Sequence, residues 1–570
     1  MRSLKSIHSS YEFLGLAGSG QYGQVYCARR RSNQRIVALK ELPLHRFPTH
    51  ALLRELRFLL MLDHPNLTRC EALEHAQEGR YLVLEYCEGG TLRDWLEQNP
   101  PYHLHQILHW IRQILLGLEH AHQAGVIHCD VKPENVLLHL TAAGWTMKLT
   151  DFGIAKVHQP QTTDLSMTGS AAYMAPERFY GQFSPAVDIY AVGVMLHEML
   201  LGSRPFSGSP GQLMHDHLNR RLKLGTELPP LVRPIVQRAL EKLPARRYPS
   251  AAAMAKDIDA ILPQLQQPLA CWVGPLLPPS SLQVQTTLTL PTPPDQILWW
   301  HNQIWWTQGG QLWRTDPHKE TSTLVLTLEQ PLRHLTPWGT GLALVTPQHL
   351  YHWLPQTPPT LLRTFRDPWR YWIDAEQILW ATPRHYGRIQ WAEPAPLLPH
   401  PRRCFYQQAF PQPLPEPPLI WSDGTYLGLG ISRQGHCDLY HHPLSPWQPI
   451  PWQHPPLWSL PLPMETGIPL PQGVVLLPKD PQQGLIWVQF RPLRVKRLYL
   501  PNPCRALQAT PQGFYVLTQA QQLLAYTSLG EGESQTLLPQ PFHSFDAQGS
   551  LWLTPQPTQL WRLTEKPRQA

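Results

Sequence analysis

Tryptophan is spread so unevenly along this chain that one fold cannot account for it. Of 22 Trp in 570 residues, only Trp95, Trp110 and Trp145 precede residue 265, and the other nineteen follow it. The length alone exceeds what one hydrophobic core usually organises. Two domains are therefore expected, residues 1–265 and 295–570. Residues 266–294 are rich in Pro, Gln, Ser and Thr and read as a linker between them.

The totals exclude several classes. Formal charge is +7 with 16% charged residues. No run of Lys or Arg is long enough for a nucleic-acid or polybasic membrane patch, so no nucleic-acid partner is expected. Eight Cys, at 27, 70, 87, 129, 271, 404, 437 and 504, form neither a CxxC pair nor zinc-finger spacing. Scattered thiols fit a reducing cytosol. The N-terminal MRSLKSIHSS lacks the apolar core of a signal peptide. The apolar stretch AVGVMLHEMLLG is short and interrupted by His197 and Glu198, so no membrane span is expected and the location reads as cytoplasmic.

In the first half, Gly18-Ser19-Gly20-Gln21-Tyr22-Gly23 leads into Val25-Tyr26-Cys27-Ala28, a strand pattern. Glycines let backbone amides approach phosphate oxygens. A lone GxGxxG is equally a dinucleotide signal, but that fold starts a helix at the glycines. Here a second strand follows instead, Ile36 to Lys40, ending in a cation. Ala51 to Leu62 has apolar residues at helical spacing and carries Glu55. Tyr81 to Cys87 is an apolar strand followed by Glu88-Gly89-Gly90, and His103 to Ala124 is a long amphipathic helix ending at Gly125. Next comes Val126 to Asn135, VIHCDVKPEN, and then Asp151-Phe152-Gly153. These stretches gather a carboxylate able to orient a hydroxyl (Asp130), a cation (Lys132), and an amide and second carboxylate able to hold a metal (Asn135, Asp151).

In order and spacing these motifs resemble the eukaryotic-like (Hanks-type) Ser/Thr protein kinases of bacteria, over residues from about 11 to 265. The resemblance implies an α+β bilobal kinase fold using ATP and Mg²⁺ on protein substrates, with autophosphorylation. It implies that Gly18, Gly20, Gly23 and Val25 cover the nucleotide. Lys40, paired with Glu55, would hold the α- and β-phosphates. Leu84 would be the gatekeeper, and the backbones of Glu85 and Cys87 would face adenine. Asp130 would orient the acceptor hydroxyl, Lys132 would neutralise the moving phosphoryl, and Asn135 and Asp151 would bind the metal.

The same resemblance makes Thr162, Thr163, Ser166 and Thr168 candidate phosphosites. It brings Ser170 to Asp130 and Lys132, pairs Glu177 with Arg247, and bonds Asp188 to the catalytic-loop backbone. One departure is Cys129, where most relatives have an Arg that pairs with a phosphorylated activation segment. Cys129 cannot form that charge-assisted pair, so switching is expected to depend less on such phosphorylation. The alternative reading is a low-activity nucleotide-binding scaffold whose second domain does the work; the intact Lys40, Asp130, Asn135 and Asp151 favour the enzyme.

Beyond Asp295 short apolar pieces are separated by Pro, Gly, Gln and Asp. Paired pieces start near Ile297, Gly341, Gln377, Thr425, Gly473, Gly513 and Ser550. About seven units spaced by roughly 36 to 48 residues fall in the range of propeller blades. An all-β repeat domain is expected, a β-propeller of about seven blades with each visible pair forming inner strands. A pair of irregular sandwiches is the rival. The Trp stripes read as core between sheets. His441-His442 reads as surface. A protein or small-molecule ligand is expected for this domain, for sensing or docking.

Overall fold

The structure is a computed structural model. It describes the chain apart from residues 1–5, 21–22, 43–59, 78, 99–102, 142–143, 153–170, 223–227, 266–281, 320, 374–376, 392–402, 423–425, 434, 444–455, 471–472, 481–482, 499, 501, 510–512, 521, 528–531, 538–541, 546–550, 554–558 and 566–570. It divides into two compact units, the first built on Met1–Pro275 and the second on Leu276–Val488 and Arg497–Ala570. Among the described residues no helix is long and apolar enough to cross a membrane.

The first unit opens with a five-stranded antiparallel sheet. Its strands are β1 (Tyr11–Gly20), β2 (Gly23–Arg30), β3 (Ile36–Leu42), β4 (Cys70–His75) and β5 (Arg80–Glu85), in the order β1-β2-β3-β5-β4. One face buries Tyr11, Ala28, Val37, Leu39, Tyr81 and Val83. Alternation along the strands turns the other face, with Val25, Ala38 and Lys40, towards a cleft.

Helices follow. Leu104–Gln123 runs where periodicity predicts and buries Ile107, Leu108, Ile111, Ile114, Leu115 and Leu118. Pro185–Leu201 is buried on almost every side, which explains its nearly unbroken apolar sequence. It packs on Arg233–Ala239 at Gly193, where a Cβ would meet Ala239 Cβ at 2.8 Å, so only glycine permits the approach. Between helices lies a two-stranded ribbon, β6 (Val136–Thr141) and β7 (Gly144–Leu149), whose ends carry the catalytic candidates Asn135 and Asp151.

The second unit contains seven four-stranded antiparallel sheets. Six run consecutively, over 296–327, 334–364, 370–409, 419–460, 464–498 and 504–537. The seventh joins the last three strands, within 542–565, to β8 (Leu282–Thr289), whose Leu288 pairs with Leu560. First strands of neighbouring sheets adjoin from the first sheet through the sixth, and Phe542–Phe545 adjoins Gln296–Trp300, so the last sheet meets the first. The unit is an all-β, propeller-like repeat.

Two expectations change. Residues 282–289 lie inside the stretch read as linker, yet they form β8; LQVQTTLT has few apolar residues because β8 is the outermost strand of its sheet. The visible apolar pairs are mostly the second and third strands of each sheet, such as Gln377–Ala381 and His385–Trp391, and not the inner pair. Middle strands are covered on both faces and so carry the strongest apolar signal.

The Trp stripes are core: Trp306, Trp338, Trp353, Trp380, Trp421 and Trp487 are fully buried. Trp305 of the first sheet meets Trp353 of the second, centroids 5.5 Å apart, and Trp338 of the second shares a cluster with Trp380 of the third. Each contact joins neighbouring sheets, so aromatic area holds the repeats together. A recurring T-P-x-H turn shows the repeat locally. The Thr346 and Thr382 hydroxyls accept from the amides of His349 (2.9 Å) and His385 (3.0 Å).

Candidate active site

Strand register assembles the cleft of the first unit. Gly18 pairs with Val25 and Gly20 with Gly23 across the β1–β2 hairpin. Val25 pairs with Lys40, and Ala38 pairs with Leu84. Directly opposed residues share a face, so Val25, Lys40, Ala38 and Leu84 all line one cleft. Gly18, Gly23, Glu85, Cys87, Asp130, Lys132, Asn135 and Asp151 line it as well. Gly20 lies at the tip of the hairpin.

Lys40 is only 4% exposed, and an ammonium so buried needs a counter-charge. Its Nζ donates to Asp151 Oδ1 at 2.6 Å. Burial opposes ionisation of Asp151, but Lys40 outweighs it and, with smaller help from His128 and Lys132, holds the carboxyl below the usual range. The expected Lys40–Glu55 pair lies outside the described residues, as do Gly153, Ser170 and the four candidate phosphosites.

Glu85 ends β5, and Cys87 lies just beyond it. Glu85 turns its carboxylate to Lys148 Nζ at 3.0 Å, while its amide donates to Arg69 O. The Cys87 thiol is pushed well above its usual range by burial and then by Glu85 and Glu88, so it stays protonated and unreactive.

A buried carboxylate organises the loop between the long helix and β6. Asp188 is fully buried; its Oδ2 accepts from the amide of His128 (2.8 Å) and meets His122 Nε2 (2.8 Å), and its Oδ1 accepts from the amide of Cys129 (2.7 Å). This is the backbone role expected of it. The His128 ring donates from Nε2 to Thr150 O (2.8 Å) and accepts at Nδ1 from the amide of Asp130 (3.2 Å), which fixes its tautomer.

Asp130 Oδ2 then receives Lys132 Nζ at 2.7 Å and Asn135 Nδ2 at 2.9 Å. Asn135 Nδ2 also donates to Asp130 O at 2.7 Å. With its donor group committed, Asn135 has its carbonyl oxygen to offer a cation. Asn135 and Asp151 thus supply hard oxygen donors at one end of the cleft, a set that suits a divalent metal whose remaining ligands come from phosphates and water. Among the described residues no group of three or more His, Cys, Asp or Glu could hold a metal ion.

The wall below the cleft includes residues that sequence reasoning missed. Arg93 donates to Glu134 (2.8 Å), Glu198 (3.0 Å) and the Tyr173 hydroxyl (2.5 Å), and that hydroxyl donates to Glu198. No motif announces Arg93, because its partners come from three separated segments. The Glu177–Arg247 pair is present as expected, with Arg247 Nη1 and Nη2 donating to the two carboxylate oxygens at 2.6 and 2.8 Å, both residues buried.

Residues 11–257 match the protein kinase domain family. The chain is similar to the Ser/Thr-protein kinase PrkC of Bacillus subtilis, 33% identical over 266 residues, covering 45% of this chain and 41% of the relative. It is similar to PknL of Mycobacterium tuberculosis, 36% identical over 205 residues, covering 34% and 51%. PknA of Mycobacterium tuberculosis is 34% identical over 275 residues, covering 45% and 62%. The chain thus spans about half the length of the curated relatives it matches.

Proposed function

We propose that this chain, whose residues 11–257 are a protein kinase domain of the bacterial Ser/Thr type, transfers the γ-phosphoryl group of ATP to Ser or Thr hydroxyls of proteins, itself included. The observation that carries the reading is the convergence of Lys40, Asp130, Lys132, Asn135 and Asp151 on one cleft, with Lys40 on Asp151 and both Lys132 and Asn135 on Asp130.

In this reading the backbone of the β1–β2 hairpin covers the phosphates, and the Glu85 to Cys87 backbone meets adenine. Lys40 holds the α- and β-phosphates. Asp130 accepts a hydrogen bond from the acceptor hydroxyl and directs its oxygen at the γ-phosphorus; Lys132 offsets the charge on the moving group. Asn135 and Asp151 would hold Mg²⁺, which supplies charge neutralisation on the triphosphate.

The second unit is proposed as the sensing or docking part, and its ligand as a protein or a small molecule. A cytoplasmic location goes with the reading, supported by cysteines scattered without a disulfide-framework or CxxC pattern. Switching is proposed to depend little on activation-segment phosphorylation, because Cys129 offers no cation to a phosphate.

The test is incubation of the full chain with labelled ATP and an acceptor protein such as casein, followed by phosphoamino-acid analysis. Phosphoserine and phosphothreonine are expected, and pretreatment with phosphatase should leave the rate unchanged. Absence of label, or label on tyrosine alone, contradicts the activity; a rate abolished by phosphatase and restored by autophosphorylation contradicts the switching claim.

A further inference from the structure

The peptide groups on both sides of Cys129 are held from outside the loop. Cys129 lies in the left-handed region, φ 64°, where a non-glycine residue is disfavoured unless its surroundings fix it. Its amide is bonded by Asp188, as described. Its carbonyl oxygen accepts from Arg178 Nη1, and the amide of Asp130 in the same peptide plane rests on His128 Nδ1. The orientation of the plane leading into Asp130 is therefore set by Arg178 at one end and His128 at the other.

The fold presents Arg178 for this contact. Pro176–Tyr180 is one short 3₁₀ helix, in which successive side chains diverge by about 120°. Glu177 is bound to Arg247 on one side, and the next residue faces away from that pair, towards the loop. Arg178 is half-buried, and among the described residues no carboxylate pairs with it. Its Nε is buried with no hydrogen-bond partner, and its guanidinium sits 5.5 Å over the Phe183 ring. A cation withdrawn from water with a backbone carbonyl as its hydrogen-bond acceptor is costly unless that contact matters.

We propose that Arg178 is a positioning residue for Asp130: it fixes the Cys129–Asp130 peptide and hence the direction in which the Asp130 carboxylate meets the acceptor hydroxyl. The inference rests on the phosphoryl-transfer reading of the cleft. It joins the Glu177–Arg247 anchor to the reacting centre through one side chain.

The test compares the full chain with Arg178→Met, Arg178→Lys and Asp130→Asn. Steady-state transfer to casein, affinity for a fluorescent ATP analogue and thermal midpoint are measured for each. Misdirecting one reacting group is expected to lower kcat by about 10- to 100-fold, while ATP KM and analogue affinity stay at the unsubstituted level. Arg178→Lys, which keeps a charged donor, recovers much of the loss. Should Arg178→Met fail to fold, Arg178→Gln takes its place in the same comparison. An unchanged kcat, a loss confined to KM, or a Lys variant no better than the Met variant overturns the proposal while leaving the kinase reading intact. Unsubstituted protein no faster than Asp130→Asn removes the kinase reading, and the proposal with it.

Discussion

Lys40 Nζ and Asp151 Oδ1 stand 2.6 Å apart, joining the centre of the β-sheet lobe to the loop after β7. The pair brings together the cation proposed to bind phosphate and the carboxylate proposed to bind the metal. Substituting Lys40→Met should remove both the phosphate contact and the group that keeps Asp151 ionised. A fall in kcat/KM of about 10²- to 10³-fold is expected, as for loss of a charge-stabilising donor. Retention of kcat/KM within a few-fold in the labelled-ATP assay contradicts the assignment of Lys40.

His217 should make the first unit acid-labile. It is fully buried on Pro210–Asn219, bonded through Nδ1 to the Tyr190 hydroxyl at 2.9 Å. Burial, and then the nearby Lys242, push its pKa down to about 4. Between that value and the ordinary one near 6.5, the unfolded chain binds a proton that the folded chain refuses. Stability is therefore fully present above roughly pH 6.5 and declines as pH falls towards 4. Denaturant midpoints at pH 7 and 5 should differ less in His217→Gln than in the unsubstituted protein; equal differences contradict the prediction.

His139 should act in the opposite sense. Its Nδ1 meets the fully buried Glu88 carboxylate at 2.9 Å, and Glu88 also accepts from the amide of Leu140 at 2.9 Å. Burial lowers the imidazole pKa, but the hydrogen bond and charge of Glu88 outweigh it, and the net direction is upward. A raised folded-state pKa contributes stability that is complete below about 6.5 and lost as pH rises through the folded value. His139→Gln should flatten thermal midpoints between pH 6 and 9. A midpoint slope in that range unaltered by the substitution contradicts the pairing.

Glu177 and Arg247 should be strongly coupled. Arg247 also donates to the carbonyls of Glu241, Ala186 and Lys242, so its loss orphans several acceptors along with the carboxylate. Arg247→Met should cost about 3–5 kcal/mol, as expected when one partner of a buried pair is removed. In a double-mutant cycle with Glu177→Gln the double variant should lose less than the two singles together. Additive losses contradict the coupling.

The cleft was legible in the sequence because its chemistry resides in side-chain types at short spacing. Asp130, Lys132 and Asn135 are separated by two and three positions, and the strand ending in Lys40 reads directly from its apolar run. Arg178 and Arg93 were not legible. Each acts through partners far along the chain, Cys129 for one and Glu134, Tyr173 and Glu198 for the other, and no local pattern encodes those approaches. In the second unit the two middle strands of most sheets announced themselves through burial on both faces. β8 did not, since an outer strand needs no apolar run, and its partner Gln559–Glu565 lies some 270 residues away by sequence number.

The central claim is that Asp130 directs an acceptor hydroxyl at ATP. Its most direct measurement is the single-turnover rate of γ-phosphoryl transfer by the full chain and by Asp130→Asn, both loaded with saturating ATP and Mg²⁺. The substitution keeps the size of the side chain and removes the charged acceptor. A rate lower by about 10²-fold or more in Asp130→Asn, with unchanged nucleotide affinity, is the predicted result; equal rates in the two proteins would contradict it.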